Sequence, residues 1–447
     1  MNAVYLPRLI DAELETWRLS RQRKPLMLRG ARQVGKSTAV RHLARQFTWF
    51  IELNLDEQPQ YRRIFEQAND IKDVCALIAA STNTPVEAGK TLLFLDEIQA
   101  CLPAISSLRY FYEKMPDLHV IAAGSLLEFA LADLPSFGVG RVRSLFMYPF
   151  CFDEFLQANG ENILRETMMA YGPERSLPDI LHDKLKYYLK RFMVVGGMPE
   201  VVSAYALNKD LLEAQRVLDD LIVSIESDFA KYKQRVATAR IREVFNSVVR
   251  QIGLKFSYSY PNATLNNSQI KEALELLRMA GLVYPVTHTA ANGIPIGSEV
   301  NNKYRKFLLF DSGIAQRLLG LSISELLLED DFQTINKGAM AELHVGLELL
   351  KNTSPYQQGA LFYWQRESRN SQAEVDYVIQ YKGEIVPIEV KANVRGSMQS
   401  MYQFLKEKKG GLGIRFSLEN FAQMAPVDIY PLYAVRNLLS SQSPVVR

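Results

Sequence analysis

Several things are scarce in this chain. Its three cysteines, Cys75, Cys101 and Cys151, are odd in number and widely spaced, which leaves neither a disulfide framework nor a zinc site. They read as buried thiols in a reducing compartment. No uncharged apolar stretch approaches the ~18 residues that a membrane span needs. Arg8 and Asp11 interrupt the apolar residues near the start, so no signal-peptide core is legible there. These absences predict a cytoplasmic protein with no membrane partner. Excess charge is scarce too: 52 basic against 49 acidic residues leave +3. So small a bulk field is no argument for nucleic acid, and any such binding has to come from local patches. What is present is ordinary for a globular protein, 48% hydrophobic and 23% charged residues. The 447 residues are long enough for roughly three domains.

The front third carries the most chemistry. Residues 25 to 47 read PLMLRGARQVGKSTAVRHLARQF. A short apolar strand, Pro25–Leu28, runs into a loop with Gly30 and Gly35, followed by Lys36, Ser37 and an apolar set at helical spacing: Val40, Leu43, Ala44 and Phe47. This is G-x-x-x-x-G-K-[ST], the P-loop. Its glycines let backbone amides wrap phosphate oxygens, and the helix N-terminus adds partial positive charge. The stretch Gly30, Ala31, Arg32, Gln33, Val34, Gly35, Lys36, Ser37 and Thr38 is the predicted nucleotide cradle, with Lys36 on the β- and γ-phosphates and the Ser37 hydroxyl on Mg²⁺.

A P-loop calls for a second element, an apolar strand ending in an acid. TLLFLDEIQ, Thr91–Gln99, supplies one: four apolar residues from Leu92, then Asp96 and Glu97 where ligands bind in open α/β sheets. Asp96 is predicted to serve the Mg²⁺ shell and Glu97 to polarise the attacking water. The competing reading is that two acids after a strand merely cap the next helix. A helix near Ser106–Lys114 leads to another strand, His119–Ala123, which ends at Gly124 and Ser125. Ser125 could sense the γ-phosphate or could cap the helix Leu126–Ala132. With Phe50–Asn54 and Ser144–Tyr148, five strands alternate with helices, which implies a parallel sheet covered on both faces.

The strand order, the Asp-Glu ending and the extra strand with a polar residue resemble the AAA+ ATPases. More narrowly, GARQVGKST, LFLDEIQ, the Gly-Ser pair, GRVRSLFMYPFCFDEF and VVGGMPEVV resemble a prokaryotic family that joins such an ATPase to a C-terminal domain of unknown function. The resemblance covers nearly the whole chain. It implies ATP and Mg²⁺ as cofactors, a ring-forming homo-oligomer as one possibility, and an arginine finger that completes the charge on the transferring phosphoryl group. Arg141 and Arg143 are the candidates because they follow the sensor region; solvation at the surface is the alternative for both.

From about Asp153 to Arg250 the sequence reads as helical, broken by a turn at Gly196-Gly197-Met198-Pro199, and such a block could be a lid that moves with nucleotide state. A helix (Arg240–Ile252), a polar turn PNATLNNS and a second helix follow, the latter capped by Ser268 with Ile270, Ala273, Leu274 and Leu277 as its apolar stripe. Gly281 ends it. Two strands, Leu282–Thr287 and Lys306–Asp311, are expected to flank a loop holding Asn301, Lys303 and Arg305. That layout is a winged helix-turn-helix, often used on DNA. Lys271 and Arg278 on the second helix are matched by Glu272 and Glu275, whereas a sequence-reading helix normally offers net positive charge. DNA contact and a protein-docking or structural use both stay open.

The rear begins after Asp330-Asp331, read as a boundary. An amphipathic helix, KGAMAELHVGLELLKN, carries Glu342; LFYWQRE, EVDYVIQ and GEIVPIEVKA then read as three strands that deliver Asp376 and Glu389, with Lys391 on the same face as Glu389. Helix-Glu, strand-Asp, strand-Glu-x-Lys resembles the PD-(D/E)-x-K pattern of restriction-endonuclease-like domains. The resemblance implies that Glu342, Asp376 and Glu389 hold Mg²⁺ and that Lys391 orients water. The plain alternative is the wet outer face of a sheet, and a domain that keeps the fold for binding alone is another.

The fold class expected is α/β: an AAA+-like P-loop parallel sheet (1–160), a helical segment (161–239), a winged helix-turn-helix (240–325) and a restriction-endonuclease-like domain (326–447). The function expected is Mg²⁺-dependent ATP hydrolysis acting on DNA or in nucleic-acid-related defence or maintenance. The rival is a nucleotide-dependent switch that docks a protein partner, its rear domain inert.

Overall fold

Leu92, Leu93, Phe94 and Leu95 are wholly buried in the computed structural model of the chain. A strand covered on both faces requires such a run. The structure describes residues 5–68, 70–134, 140–232, 236–259, 265–321, 337–366, 373–392 and 396–440, which fall into two compact units. The first runs to Tyr148 and takes in two short later segments, Met279–Gly281 and Ser354–Gln358; the second takes the rest.

In the first unit the strands are β1 (Leu26–Arg29), β2 (Trp49–Asn54), β3 (Thr91–Asp96), β4 (His119–Ala123) and β5 (Arg143–Phe146). Their order is β2-β3-β4-β1-β5 and every pairing is parallel. Each lies within two residues of its predicted bounds. Helices Lys36–Leu43, Ile71–Thr82, Leu102–Lys114 and Leu127–Asp133 connect them. Ile51, Leu53, Leu93, Leu95 and Val120 from the sheet pack with Val74, Ile78, Ile105 and Leu108 from the helices. The register sets Leu95 beside Ala122 and Ala123 beside Leu28, so the C-terminal ends of β3, β4 and β1 are level. All three cysteines are free and buried, as expected.

The second unit begins with helices, among them Phe152–Ala158, Asp179–Val195, Pro199–Asn208 and Leu211–Asp228. The expected glycine turn separates the second from the third. Its hold is specific: the buried Asp311 carboxylate accepts from the Gly197 amide at 2.6 Å and from the Ile314 amide at 3.0 Å. A β-carbon at Gly197 would stand 2.3 Å from the Phe150 carbonyl oxygen, so the close approach demands glycine.

Helices Thr238–Arg250 and Asn267–Met279 follow, and the predicted stripe Ile270, Ala273, Leu274 and Leu277 is buried. Asn266 rather than Ser268 caps the second of them. Its side chain accepts from the Gln269 amide at 2.9 Å while Gln269 reaches back to the Asn266 amide at 3.2 Å, a reciprocal capping box. Strands β6 (Val283–Thr289) and β7 (Val300–Leu309) come next. Asn301, Lys303 and Arg305, expected in a loop, lie within β7.

The strand pair is not a separate wing. Its β6 is hydrogen-bonded in parallel to β8 (Leu361–Gln365), and the sheet continues through β9 (Glu374–Tyr381), β10 (Glu384–Val390), β11 (Gly413–Ser417), β12 (Ala422–Met424) and β13 (Val427–Pro431). The order is β12-β13-β11-β10-β9-β8-β6-β7. One eight-stranded sheet therefore runs across the boundary expected at 325/326, and the chain forms two compact units where four segments were expected. The physical reason is the inner edge of β6: a lone two-stranded hairpin is marginal, and β8 satisfies the edge's backbone groups. Helix Lys337–Lys351 carries Glu342, and Gln399–Lys408 is the expected covering helix. Asp330-Asp331 and part of the PNATLNNS turn lie outside the described residues. Among those described, no helix is long and apolar enough to cross a membrane.

Candidate functional site: a phosphate cradle and a buried carboxylate cluster

In the first unit the loop between β1 and the helix Lys36–Leu43 has three residues with positive φ: Gly30 at 143°, Gln33 at 63° and Gly35 at 95°. At Gly30 the need for glycine is steric as well, since a β-carbon would stand 2.1 Å from the Met147 carbonyl oxygen on the chain following β5. The Lys36 ammonium folds back onto the Gly30 and Ala31 carbonyls at 2.9 and 2.7 Å. Burial draws its pKa down to about 8, against the opposing pull of Glu97 and Asp96. Arg32, Gln33 and Thr38 are exposed, and Val34 is buried.

Across the sheet edge the Ser37 hydroxyl donates to the Asp96 carboxylate at 2.7 Å. Burial raises the Asp96 pKa, partly offset by that hydroxyl. Hydroxyl and hard carboxylate oxygen converge beside the lysine, which is the donor set a Mg²⁺ ion takes next to phosphate. Glu97 sits in the left-handed region at φ 48° and accepts from the Ser125 hydroxyl at 3.1 Å. Gln99 donates to the same Glu97 carboxylate. The acids after β3 do more than cap a helix, and Ser125 is tied to Glu97.

The arginine-finger candidates lie elsewhere. Arg143 opposes Leu26 at the start of β1, the sheet edge away from the P-loop, and its guanidinium is 5.6 Å from the Tyr356 ring. Arg141 pairs with Glu113 at 3.3 Å. At the near end of the sheet Arg29 lies over the Phe146 ring at 4.7 Å and is bonded through its Nε to Glu128 at 2.6 Å.

Sequence reasoning missed several supports of this cradle. The Arg8 guanidinium donates to the Val34 carbonyl at 3.0 Å and the Tyr148 carbonyl at 2.7 Å, bracing the loop from the N-terminal segment. Gly281, far along the chain, approaches so closely that a β-carbon there would stand 3.1 Å from the Ala31 nitrogen. No local pattern signals either; both depend on long-range closure.

The second unit gathers the rear motif. Asp376 on β9 accepts from the Val390 amide at 2.7 Å, and Lys391 reaches Glu389 at 2.5 Å, as the shared face predicted. Glu342 and Glu389 are 8% and 6% exposed, which rules out a wet outer face. Burial raises the pKa of Glu389 to about 7 and of Glu342 to about 8, and it raises that of Asp376 as well. Two unforeseen residues join them: the Lys306 ammonium lies 2.9 Å from Glu342 and 2.6 Å from Glu374. Among the described residues no group of three or more His, Cys, Asp or Glu is placed to hold a metal ion. Of the three carboxylates expected to clamp a metal, Glu342 faces the Lys306 ammonium, Glu389 faces its motif partner Lys391, and Asp376 accepts from the Val390 amide.

Comparison with known proteins finds three family models matching successive stretches of the chain. Residues 22–156 match the model of an AAA domain, and this stretch carries an AAA-type P-loop domain. Residues 186–325 and 337–435 match two models, each described only as a domain of unknown function (DUF8612 and DUF4143). No curated protein matches in sequence. Among solved structures, similarity extends to a Walker-type ATPase of Pyrococcus abyssi, with 15% identity and a TM-score of 0.46 over 70% of this chain and 96% of that one. It extends also to the ORC1 protein of Aeropyrum pernix in complex with DNA, at 13% identity and a TM-score of 0.27 over 73% of this chain and 94% of that one. Drosophila ORC bound to DNA gives 14% and 0.26 over 69% and 84%. At identities of 15% or less these likenesses say nothing of this chain's partners.

Proposed function

We propose that the chain binds and hydrolyses ATP with Mg²⁺ and uses the cycle as a switch. The supporting observation is the convergence of the Ser37 hydroxyl and the Asp96 carboxylate at 2.7 Å beside the buried Lys36 ammonium. Lys36 would leave its two carbonyls for phosphate oxygens, and Ser37 with Asp96 would hold the magnesium. Bound there, the ion would neutralise phosphate charge. Glu97, steadied by Ser125 and Gln99, is within the edge where a water would need orienting towards the γ-phosphate. In a ring, Arg141 or Arg143 would act on the cradle of the neighbouring subunit. Mass measured with and without a non-hydrolysable ATP analogue tests that assembly; an unchanged monomer would sink it.

The rear unit is read as binding without cleaving, because Lys306, a lysine from outside the motif, pairs with the Glu342 that a nuclease would give to metal. Phosphate release and nicking of DNA and RNA, assayed on one preparation with Lys36→Ala and Lys391→Ala controls, test both halves. Mg²⁺-dependent phosphate release lost in Lys36→Ala supports the first, and Lys391-dependent nicking would overturn the second.

A partner protein fits the helix Asn267–Met279 better than DNA does. Arg278 is spent on Glu275 at 2.5 Å, and Arg240 lies 3.8 Å from Glu272 on that helix, so few cations are left to meet base edges. One observation favours DNA as a second reading. On β7 the exposed Lys303 adjoins Tyr304, whose ring lies 3.6 Å beneath the Lys255 ammonium. Binding to duplex DNA that weakens steeply with salt would favour this second reading; flat salt dependence favours the protein partner.

A further inference from the structure

Lys306 belongs to no motif, yet it is one of the largest fully buried side chains of the second unit, 2% exposed at its place in β7. Its ammonium contacts Glu342 Oε1 at 2.9 Å and Glu374 Oε1 at 2.6 Å, and it lies 5.3 Å from the Tyr363 ring centroid. Beside it, Glu389 gives one oxygen to Lys391 and keeps the other, buried, without a hydrogen-bond partner. Carboxylates packed out of water need a counter-charge, and a buried ammonium needs anions. Each explains the other here. In the nuclease-like pattern the counter-charge is a divalent ion; in this chain part of that duty has passed to a side chain.

We infer that Lys306 is a tethered cation standing in for the metal between Glu342 and Glu374, within electrostatic reach of Asp376, and that it closes this pocket to divalent ions. A metal entering would have to displace the ammonium and leave it buried without partners, which costs more than the exposed alternative of staying in water. Glu374 belongs to this arrangement and not to the motif: it opens β9, where it opposes Gln365, and its carboxylate turns to the lysine. The pocket's chemistry is then that of a fixed internal ion pair, with Glu389 Oε2 as the one unclaimed oxygen seen among the described residues' buried carboxylates of this cluster. The inference deepens the reading of this unit as non-cleaving and is independent of the nucleotide site.

The test is Mn²⁺ binding to the full chain, followed by electron paramagnetic resonance without nucleotide, in a Ser37→Ala background so that the P-loop contributes no hydroxyl. With Lys306 in place, Asp376→Asn should change nothing tighter than about 1 mM. Lys306→Met should create a site at least about tenfold tighter, which Asp376→Asn then removes, while Lys306→Arg should create none. An Asp376-dependent Mn²⁺ site in the chain that retains Lys306 would overturn the inference, as would a folded Lys306→Met chain that gains no site. Should Lys306→Met fail to fold, the first comparison decides alone, since it leaves position 306 untouched. Nicking of DNA on the same preparations without any Asp376-dependent Mn²⁺ site would defeat the non-cleaving reading and leave the tethered cation standing.

Discussion

The Ser37 hydroxyl and the Asp96 carboxylate stand 2.7 Å apart although 59 residues separate them in the chain. The parallel order β2-β3-β4-β1-β5 makes this possible, because it levels the ends of β3 and β1 on either side of β4. Loss of either partner should therefore act on the nucleotide rather than on the core.

Lys36→Ala should lower ATP affinity by about a hundredfold or more, roughly 2.7 kcal/mol, with the fold kept. The ammonium contacts only two carbonyls of its own loop, and no core packing rests on it. Titration calorimetry and circular dichroism read the two quantities. Since Lys36 has a pKa near 8 without nucleotide, and phosphate would favour its charged form, ATP binding at about pH 8 to 9 should take up a proton. Binding heats that do not vary between buffers of different ionisation enthalpy would count against this.

Glu97→Gln should keep ATP bound but slow its hydrolysis by roughly 10²–10⁴. Ser125→Ala should slow it less, on the order of tenfold, because Gln99 still holds the Glu97 carboxylate. Single-turnover phosphate release separates the two. Equal loss in both variants would mean that Ser125 touches the phosphate itself.

Gly30→Ala should destabilise the first unit by roughly 2–4 kcal/mol, since φ 143° and the Met147 carbonyl both oppose a β-carbon. The lower of the thermal transitions, or the single one if they merge, should fall by several degrees. Gly89, whose β-carbon would meet nothing within 4 Å, provides a control for backbone strain alone at φ 78°.

The carboxylate cluster predicts a pH dependence of a definite sign. Burial raises Glu389 from 4.5 to about 7 and Glu342 from 4.5 to about 8, so the folded state binds these protons more tightly than the unfolded one. Their contribution is full below 4.5 and is lost as pH rises through about 7 to 8. Glu389→Gln, which cannot ionise, should fall less in thermal midpoint than the parent between about pH 5 and pH 8, a difference on the order of 2 kcal/mol. Identical slopes in both chains would show that Glu389 is already ionised in the folded state.

The front unit was legible because its signals are local. Buried parallel strands announce themselves as apolar runs such as Leu92 to Leu95, and the phosphate loop requires glycine at fixed positions. Arg8, Gln99 and Gly281 were not legible, since each acts through a contact that only folding creates. The rear motif was legible as residues on paired strands, but the lysine that shares its cluster was not. Asp376, Glu389 and Lys391 fall where alternation sends them, whereas Lys306 comes from β7, a strand assigned to another domain. That misassignment had a cause: pairing of β6 with β8 joins segments 72 or more residues apart, as in Thr287 beside Phe362 at 75, and no local periodicity encodes such a bond.

Because the hairpin of β6 and β7 is stitched into the rear sheet, the chain offers no natural place to cut near residue 325. A fragment stopping there would carry β6 with a raw hydrogen-bonding flank, and one starting there would bare the matching flank of β8 together with Glu342 and Glu374 stripped of their lysine. Either piece would seek a stranger's strand to lie against, so the stretch from β6 to β13 has to be handled whole.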